Sequence, residues 1–351
     1  MKKLLLTIIG LTVSGTSLIA QLIPDLGGTR AGISAMTFLK LDAGVRAAAM
    51  GGAQVAIEGD GFATQWNPAA SADLQSTSLS ASNTFLGAGV NHSFFSVLLP
   101  HERYGNFAFT ALTLNSGQME RRTEFMPNGT GEYFSVSTNA IGVTYAQNLT
   151  TRFSYGVTLK YVNELLDQFT AHTFMADMGF LYRTNYKDLK FAVVLQNFGF
   201  DSKLNGDFPA TPVPGSDRKV NSYPAPSVFS MGVSMIPIKN EKGHLLASVQ
   251  LNHPSDNAAN VRLGLEYGFR DLLFFRAGYK LNVADQKLPT FGFGIKTRII
   301  RHPLLIDYAA EPHRNLGWIH RVGVQFRIFK KEKPAEQPTE TPPSTPPTNG
   351  N

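Results

Sequence analysis

The 351-residue sequence contains no cysteine. That absence excludes a disulfide framework, thiolate metal sites, a cysteine nucleophile and a lipid anchor on an N-terminal cysteine. After residue 20 the chain also lacks any apolar run near the roughly 20 residues that a membrane-spanning helix needs. Charged residues are sparse, at 17%, and 32 Lys and Arg against 26 Asp and Glu leave a net +6. The eight histidines, at 92, 101, 172, 244, 253, 302, 313 and 320, include no i, i+4 pair of the kind a helical zinc site uses. His313 and His320 form a candidate metal pair, but interfacial or loop positions account for them more simply. The sequence has neither a Gly-x-Ser-x-Gly elbow nor a phosphate-binding glycine loop. The expectation is a protein without enzymatic activity, cofactor or resident metal. A Ser/His/Asp site assembled across strands would leave no local motif.

What is present begins with the two ends. Residues 1–20 have the form of a secretory signal peptide: Lys2 and Lys3, an apolar core from Leu4 to Val13, and a small residue, Ala20, before Gln21. The stretch is short and interrupted by Gly10 and Gly15, which favours export over an N-terminal anchor. Its removal takes away two lysines, so the mature charge is 6 − 2 = +4. That is a weak argument for nucleic-acid binding, and none is expected. The 22 residues 330–351 hold six prolines, no aromatic residue, and three Lys balanced by three Glu. Such a segment cannot bury apolar surface and reads as an extended, disordered tail, a spacer more simply than a partner ligand.

Between these ends the dominant signal is period two. Val261, Leu263, Leu265, Tyr267 and Phe269 alternate with Arg262, Gly264, Glu266 and Gly268. Phe291, Phe293 and Ile295 alternate with Gly292, Gly294 and Lys296. Phe153, Tyr155, Val157, Leu159 and Tyr161 alternate with Ser154, Gly156, Thr158 and Lys160. Residues 321–328 repeat the pattern. Each is a strand with one apolar face and one polar or small face. A soluble β-sandwich alternates too. Strands of ten or more residues, Tyr and Phe near strand ends, and an exported cysteine-free chain favour an outer-membrane barrel. In lipid, a closed sheet leaves no backbone edge unpaired.

Fourteen strands are expected within 76–329: near 76–86, 91–99, 106–115, 132–147, 151–165, 168–183, 188–197, 225–238, 243–253, 259–269, 272–282, 289–300, 302–311 and 317–329. Tight connections at 100–105, 148–150, 184–187, 239–242, 270–271 and 301 alternate with a set that includes 116–131, 198–224 and 283–288. Short inner turns, longer outer loops and an even strand number place both termini in the periplasm. Residues 117–125 are assigned to an outer loop.

Residues 21–75 stand apart from the barrel pattern. Residues 43–53 are crowded with small side chains, among them Ala43, Gly44, Gly51 and Gly52 around Arg46. Trp66-Asn67-Pro68-Ala69 follows. Two readings stand: a short helix or ribbon that starts the barrel, or a plug inside its lumen. Thr37 to Leu41, residues 43–53 and Trp66 to Ala69 together resemble the opening of PorV/PorQ family proteins. More distantly they are similar to FadL-type transporters, which share a small-residue stretch followed by Asn-Pro-Ala. The resemblance implies a fourteen-stranded outer-membrane barrel. It also implies, for the best-known member, a type IX secretion component that escorts cargo with a C-terminal sorting domain between the translocon and the surface attachment machinery. The Pro-rich tail has no counterpart in that pattern.

If apolar faces meet lipid, the lumen receives Lys160, Arg262, Arg276, Lys280, Lys296, Arg298, Arg321 and Arg327, opposed by Asp177, Glu266 and Asp307. Buried charge must be paired or hydrated. Either the lumen attracts anions, or these cations pair with Asp42, Glu58 and Asp60 of the N-terminal segment. The many glycines on polar strand faces are expected to relieve crowding inside the barrel, and Gly264→Ser is expected to be milder than a charge on the lipid face at Leu265. Loop 198–224 carries Phe198, Phe200, Phe208 and Tyr223 among prolines and is the candidate surface for a translocon subunit or cargo. The alternative function is transport of small hydrophobic molecules, by analogy with FadL.

Overall fold

The computed structural model describes residues 32–329, apart from 102, 207–220, 285 and 287. The expected signal peptide, the Pro-rich tail and Phe208 lie outside the described residues. In chain order the strands are β1 Thr77–Gly87, β2 Val90–Leu99, β3 Asn106–Glu120, β4 Tyr133–Asn148, β5 Phe153–Leu166, β6 Phe169–Arg183, β7 Lys190–Gly199 and two short strands, β8 Ser202–Lys203 and β9 Ser222–Tyr223. Then follow β10 Val228–Asn240, β11 Gly243–Pro254, β12 Asn260–Phe269, β13 Leu273–Leu281, β14 Thr290–Ile299, β15 His302–His313 and β16 Gly317–Ile328. All but β8 and β9 form one closed antiparallel barrel of fourteen strands, each paired with its sequence neighbours and closed by β1 on β16. The closing register sets Thr77 opposite Ile328, so the barrel's first and last residues share the short-turn end.

The period-two pattern becomes two surfaces. Outward positions such as Phe95, Ile141, Leu159, Phe174, Val249, Leu265, Phe275 and Phe293 are exposed, while their chain neighbours are mostly buried. An apolar belt of this extent running around a closed sheet is a lipid-facing surface. No helix among the described residues is long and apolar enough to cross a membrane.

Two loop assignments change. Residues 117–120, expected in an outer loop, belong to β3, whose ladder with β4 continues to Glu120 opposite Tyr133 past a register shift between Asn115 and Gln118. At the shift Ser116 Oγ accepts from Val136 N at 2.9 Å, which satisfies a strand amide where the ladder is interrupted. Loop 198–224 is also more regular than its prolines imply. Phe198 and Gly199 continue β7, β8 pairs with β9, and Asn205 bridges Thr170 of β6 through two backbone hydrogen bonds of 2.7 and 2.9 Å.

The wall β3–β6 is built from strands of 14–16 residues, against 9–10 for β12–β14. At about 3.3 Å per residue the difference is roughly 15 Å of strand. On this side an outward row of aligned partners, Asn83, Ser93, Thr113, Asn139, Asn163 and His172, crosses six strands. The next outward row toward the short turns is Ala81, Phe95, Ala111, Ile141, Tyr161 and Phe174. The change from apolar to amide and hydroxyl side chains marks where the wall leaves hydrocarbon. Leu265 is 50% exposed on the apolar belt. Leu265→Arg is expected to cost about 2–4 kcal/mol in a vesicle folding equilibrium, whereas Asn139→Arg costs under about 1 kcal/mol. Equal costs would place the boundary wrongly.

Candidate functional site

Residues 36–74 do not form regular structure beyond single turns: a 3₁₀ turn Thr37–Lys40, helical turns Val45–Ala49 and Ala63–Trp66, and a second 3₁₀ turn Pro68–Ser71. Most of this stretch is nonetheless buried, against the inward faces of the strands. Irregular backbone out of water must find partners for its N–H and C=O groups. Here the inward polar side chains of the wall supply many of them. Ser82 Oγ donates to Ala43 O at 2.7 Å, Ser96 Oγ to Gly61 O at 2.8 Å, and Ser234 Oγ to Ala56 O at 2.7 Å. Gln250 Oε1 accepts from Gln54 N and Val55 N at 2.9 and 3.1 Å. Asn106 Nδ2 donates to Ser71 O and Leu74 O at 2.7 and 2.9 Å. Thr290 Oγ1 accepts from Gly51 N and donates to Ala49 O, at 3.1 and 2.9 Å.

The small residues of 43–53 let that backbone touch the wall. Gly51, at φ +63°, lies against the main chain of Gly278 and Tyr279, and a Cβ on Gly278 would overlap Met50 and Gly51. A Cβ on Gly264 would lie 2.8 Å from Met50 O, so Gly264→Ser intrudes on the segment and carries a cost of its own. Gly44 leaves room for Phe62 and Trp66, and Gly52 O accepts from Arg262. In the Asn-Pro-Ala motif, Asn67 is fully buried. Its Oδ1 caps the next turn by accepting from Ala69 N at 2.9 Å, and its Nδ2 donates to Val55 O at 2.8 Å. Pro68 sits at the first position of the turn, where a missing N–H costs nothing.

Charges tie the same segment to the wall in two clusters. In the first, Arg46 binds Glu266 at 2.6 Å, Glu266 binds Arg276 at 2.6 Å, and Arg276 binds Asp307 at 2.5 Å. This chain runs from the segment across β12, β13 and β15. In the second, Asp42 meets Lys280 at 2.9 Å and Arg262 at 3.4 Å, Lys280 meets Glu311 at 2.6 Å, and Glu311 meets Arg321 at 2.7 Å. Glu58 holds Arg183 and Lys190, and Lys40 reaches Asp256 at 2.6 Å. Lys160 pairs with Asp177 at 2.5 Å. Asp60 takes no cation among these pairs; it accepts from Phe62 N and Gln54 Nε2. Lys296 pairs instead with exposed Asp271, and Arg298 is exposed near the end of β14, so neither joins the buried clusters. Arg327 donates to Gly59 O. His313 ends β15 opposite Gly317 and His320 lies three ladder positions further from the turn, opposite Ala310, with its Nδ1 on Tyr308 Oη; no group of His, Asp and Glu suited to a metal occurs among the described residues.

The serines, threonines, amides and carboxylates that receive the segment were individually visible as inward positions but not as its partners. Asp42 is an example of what the enclosure does. Burial by itself would raise its pKa, but Lys280, Arg262 and Arg321 beside it hold its carboxyl well below the usual carboxylate range. Cavities among the described residues include one of about 250 Å³ at the short-turn end, bordered by Arg46, Asp60, His244 and Arg327, and one of about 220 Å³ at the long-loop end, bordered by Leu41, Trp66, Arg262 and Lys280.

A closed fourteen-stranded sheet with an apolar exterior and paired charges inside defines an outer-membrane β-barrel. Residues 27–187 match the family model described as type IX secretion system protein PorV. The barrel is PorV-like over this stretch, and the resemblance read from residues 37–69 holds. No curated protein matches the chain. Among solved structures, the toluene transporter TodX of Pseudomonas putida aligns with TM-score 0.53 and 12% identity over 82% of this chain and 98% of its own. The toluene transporter TbuX of Ralstonia pickettii aligns with TM-score 0.50 and 12% identity over 81% and 97%. At that identity the likeness is one of fold.

Arg276→Met leaves Asp307 buried without its cation and is expected to cost about 3–5 kcal/mol. The double change Arg276→Met/Asp307→Leu is expected to cost less than Arg276→Met alone, in the same unfolding assay; a larger loss for the pair would contradict the assigned pairing. For Asp42 the folded pKa is depressed, so its contribution is present above the unfolded value near 4 and is lost as pH falls below it. Limited proteolysis of residues 36–74 is expected to accelerate below about pH 4. Asp42→Asn should show a flatter acid response; an unchanged one would remove Asp42 from the lock.

Proposed function

We propose that the chain is a docking component of a type IX secretion system, binding a translocon subunit or cargo with a C-terminal sorting domain at its long-loop end. In this reading that end faces outside the cell, both termini are periplasmic, residues 36–74 act as a plug, and the protein has no catalytic role. The observation that carries the reading is the tall wall. It lies within the PorV-matched residues, and its tip exposes large apolar side chains clear of the lipid belt: Phe125 at 92%, with Met126 and Tyr133. Exposed Phe198 and Phe200 stand beside Ala176 and Phe174, on the upper rows of the apolar belt, and residues 202–205, with exposed Tyr223 paired to Ser202, continue the same wall beside β6. Exposed aromatics on a rigid support suit interface anchors. The ion pairs through residues 40–58 argue against the lumen as an open path.

A second reading, transport of small hydrophobic molecules, has one specific support. An apolar groove of about 410 Å³ lies on the barrel exterior around Leu263, Leu265, Ala277 and Tyr279. Beside it β13 outruns its β14 partner, whose ladder stops at Gly278 opposite Thr290. One set of variants separates the readings. Phe125→Ser/Met126→Ser/Tyr133→Ser is expected to fold as a heat-modifiable barrel, lose at least about tenfold in recovery of the translocon subunit or cargo from detergent-solubilised membranes, and leave toluene uptake into vesicles unchanged. Undiminished partner recovery would contradict the docking role.

A further inference from the structure

We infer that the cavity at the long-loop end is a binding site for a small hydroxylated monocarboxylate. The first argument is charge. Arg262, Lys280 and Arg321 share only Asp42 and Glu311, while Lys40 has Asp256 to itself. Four cations against three carboxylates leave a surplus of one positive charge among the described residues. Lys40, Arg262 and Lys280 border the cavity itself, and no described carboxylate does. The opposite cavity differs: Arg46, Arg276 and Arg327 there are matched in number by Asp60, Glu266 and Asp307, and Lys296 by Asp271. A surplus positive charge among the described residues of a partly dehydrated site favours an anion of single charge.

The second argument is lining and size. Asn257 and Asn260 add amides to the rim, and Trp66 forms an apolar wall with the Arg262 guanidinium 5.9 Å from its ring centroid. Amides match hydroxyl groups, which both donate and accept. Asp42 holds Arg262 and Lys280 from within, so a ligand carboxylate would approach them from the cavity side, with its C–H face on Trp66. The volume of about 220 Å³ equals roughly seven waters at about 30 Å³ each, below the range for drug-sized ligands. That size accommodates a short polar acid and excludes a long acyl chain. The site is separate from the exposed tip assigned to docking, so either reading can fail alone.

Trp66 and Trp318 are the only tryptophans, and Trp318 is exposed on the barrel exterior. With Trp318→Phe, emission reports Trp66 alone. Titration with gluconate is expected to give a saturable change in that emission, with sorbitol at least about tenfold weaker and chloride at equal ionic strength without effect. Arg262→Gln would abolish the response but also strips Asp42 of a partner. Asn257→Leu therefore carries the test, since Asn257 is exposed and its side-chain oxygen holds only the neighbouring Ala258 N. It is expected to keep the heat-modifiable fold and weaken gluconate at least about fivefold. Indistinguishable gluconate and sorbitol curves, an equal response to chloride, or unchanged affinity in Asn257→Leu would overturn the proposal.

Discussion

Arg46 reaches out of an irregular segment to Glu266, which is shared with Arg276, which in turn holds Asp307. Taking such charges out of water is costly, and the cost is offset only if each partner is in place. The segment and three strands must therefore be positioned together, because removing either leaves charge without compensation. Asp42 repeats the constraint at the other end through Lys280 and Arg262. Other features of the interior follow from it. Glycines stand on the wall where Met50 and Gly51 press against it, and short hydroxyl and amide side chains stand where the segment's backbone needs partners.

The exterior obeys a different rule. Lipid cannot satisfy a polar group, so the outward positions are apolar until the wall leaves hydrocarbon. The row from Asn83 to His172 shows this change on β1–β6, the side that includes the tall wall β3–β6. The PorV match, residues 27–187, covers the lumen segment and this wall, whereas Glu266, Arg276, Asp307, Glu311 and Arg321 lie beyond it. Family likeness and charge lock thus fall on different halves of one closed sheet.

Much of the barrel was legible because period two survives in a lipid-facing strand: the fourteen strands and the alternation of short and long connections agree with the structure to within a few residues at most ends. The end of β3 was missed because the shift at Asn115–Gln118 breaks the alternation and Glu-Arg-Arg beyond it reads as loop. The pairing of residues 200–205 with β6 was hidden by irregular spacing and by neighbouring prolines. The lumen charges were readable as a set, but not their partners: Arg46 and Glu266 are 220 residues apart, and no local spacing encodes that meeting. Parity alone also cannot say how deep a side chain lies, which is why Lys296 and Arg298 share the inward phase of Arg276 yet stand near the short-turn rim.

Residues 36–74 are part of the barrel's folded core rather than a tether that visits it. Hydrogen exchange of the full chain in detergent, followed by mass spectrometry, measures this directly. Amides of the segment bonded to the wall or to one another, including those of Gly51, Gln54, Val55 and Ala69, are expected to exchange as slowly as the strands. Exchange of these amides at unstructured-peptide rates, with the strands still protected, would contradict it.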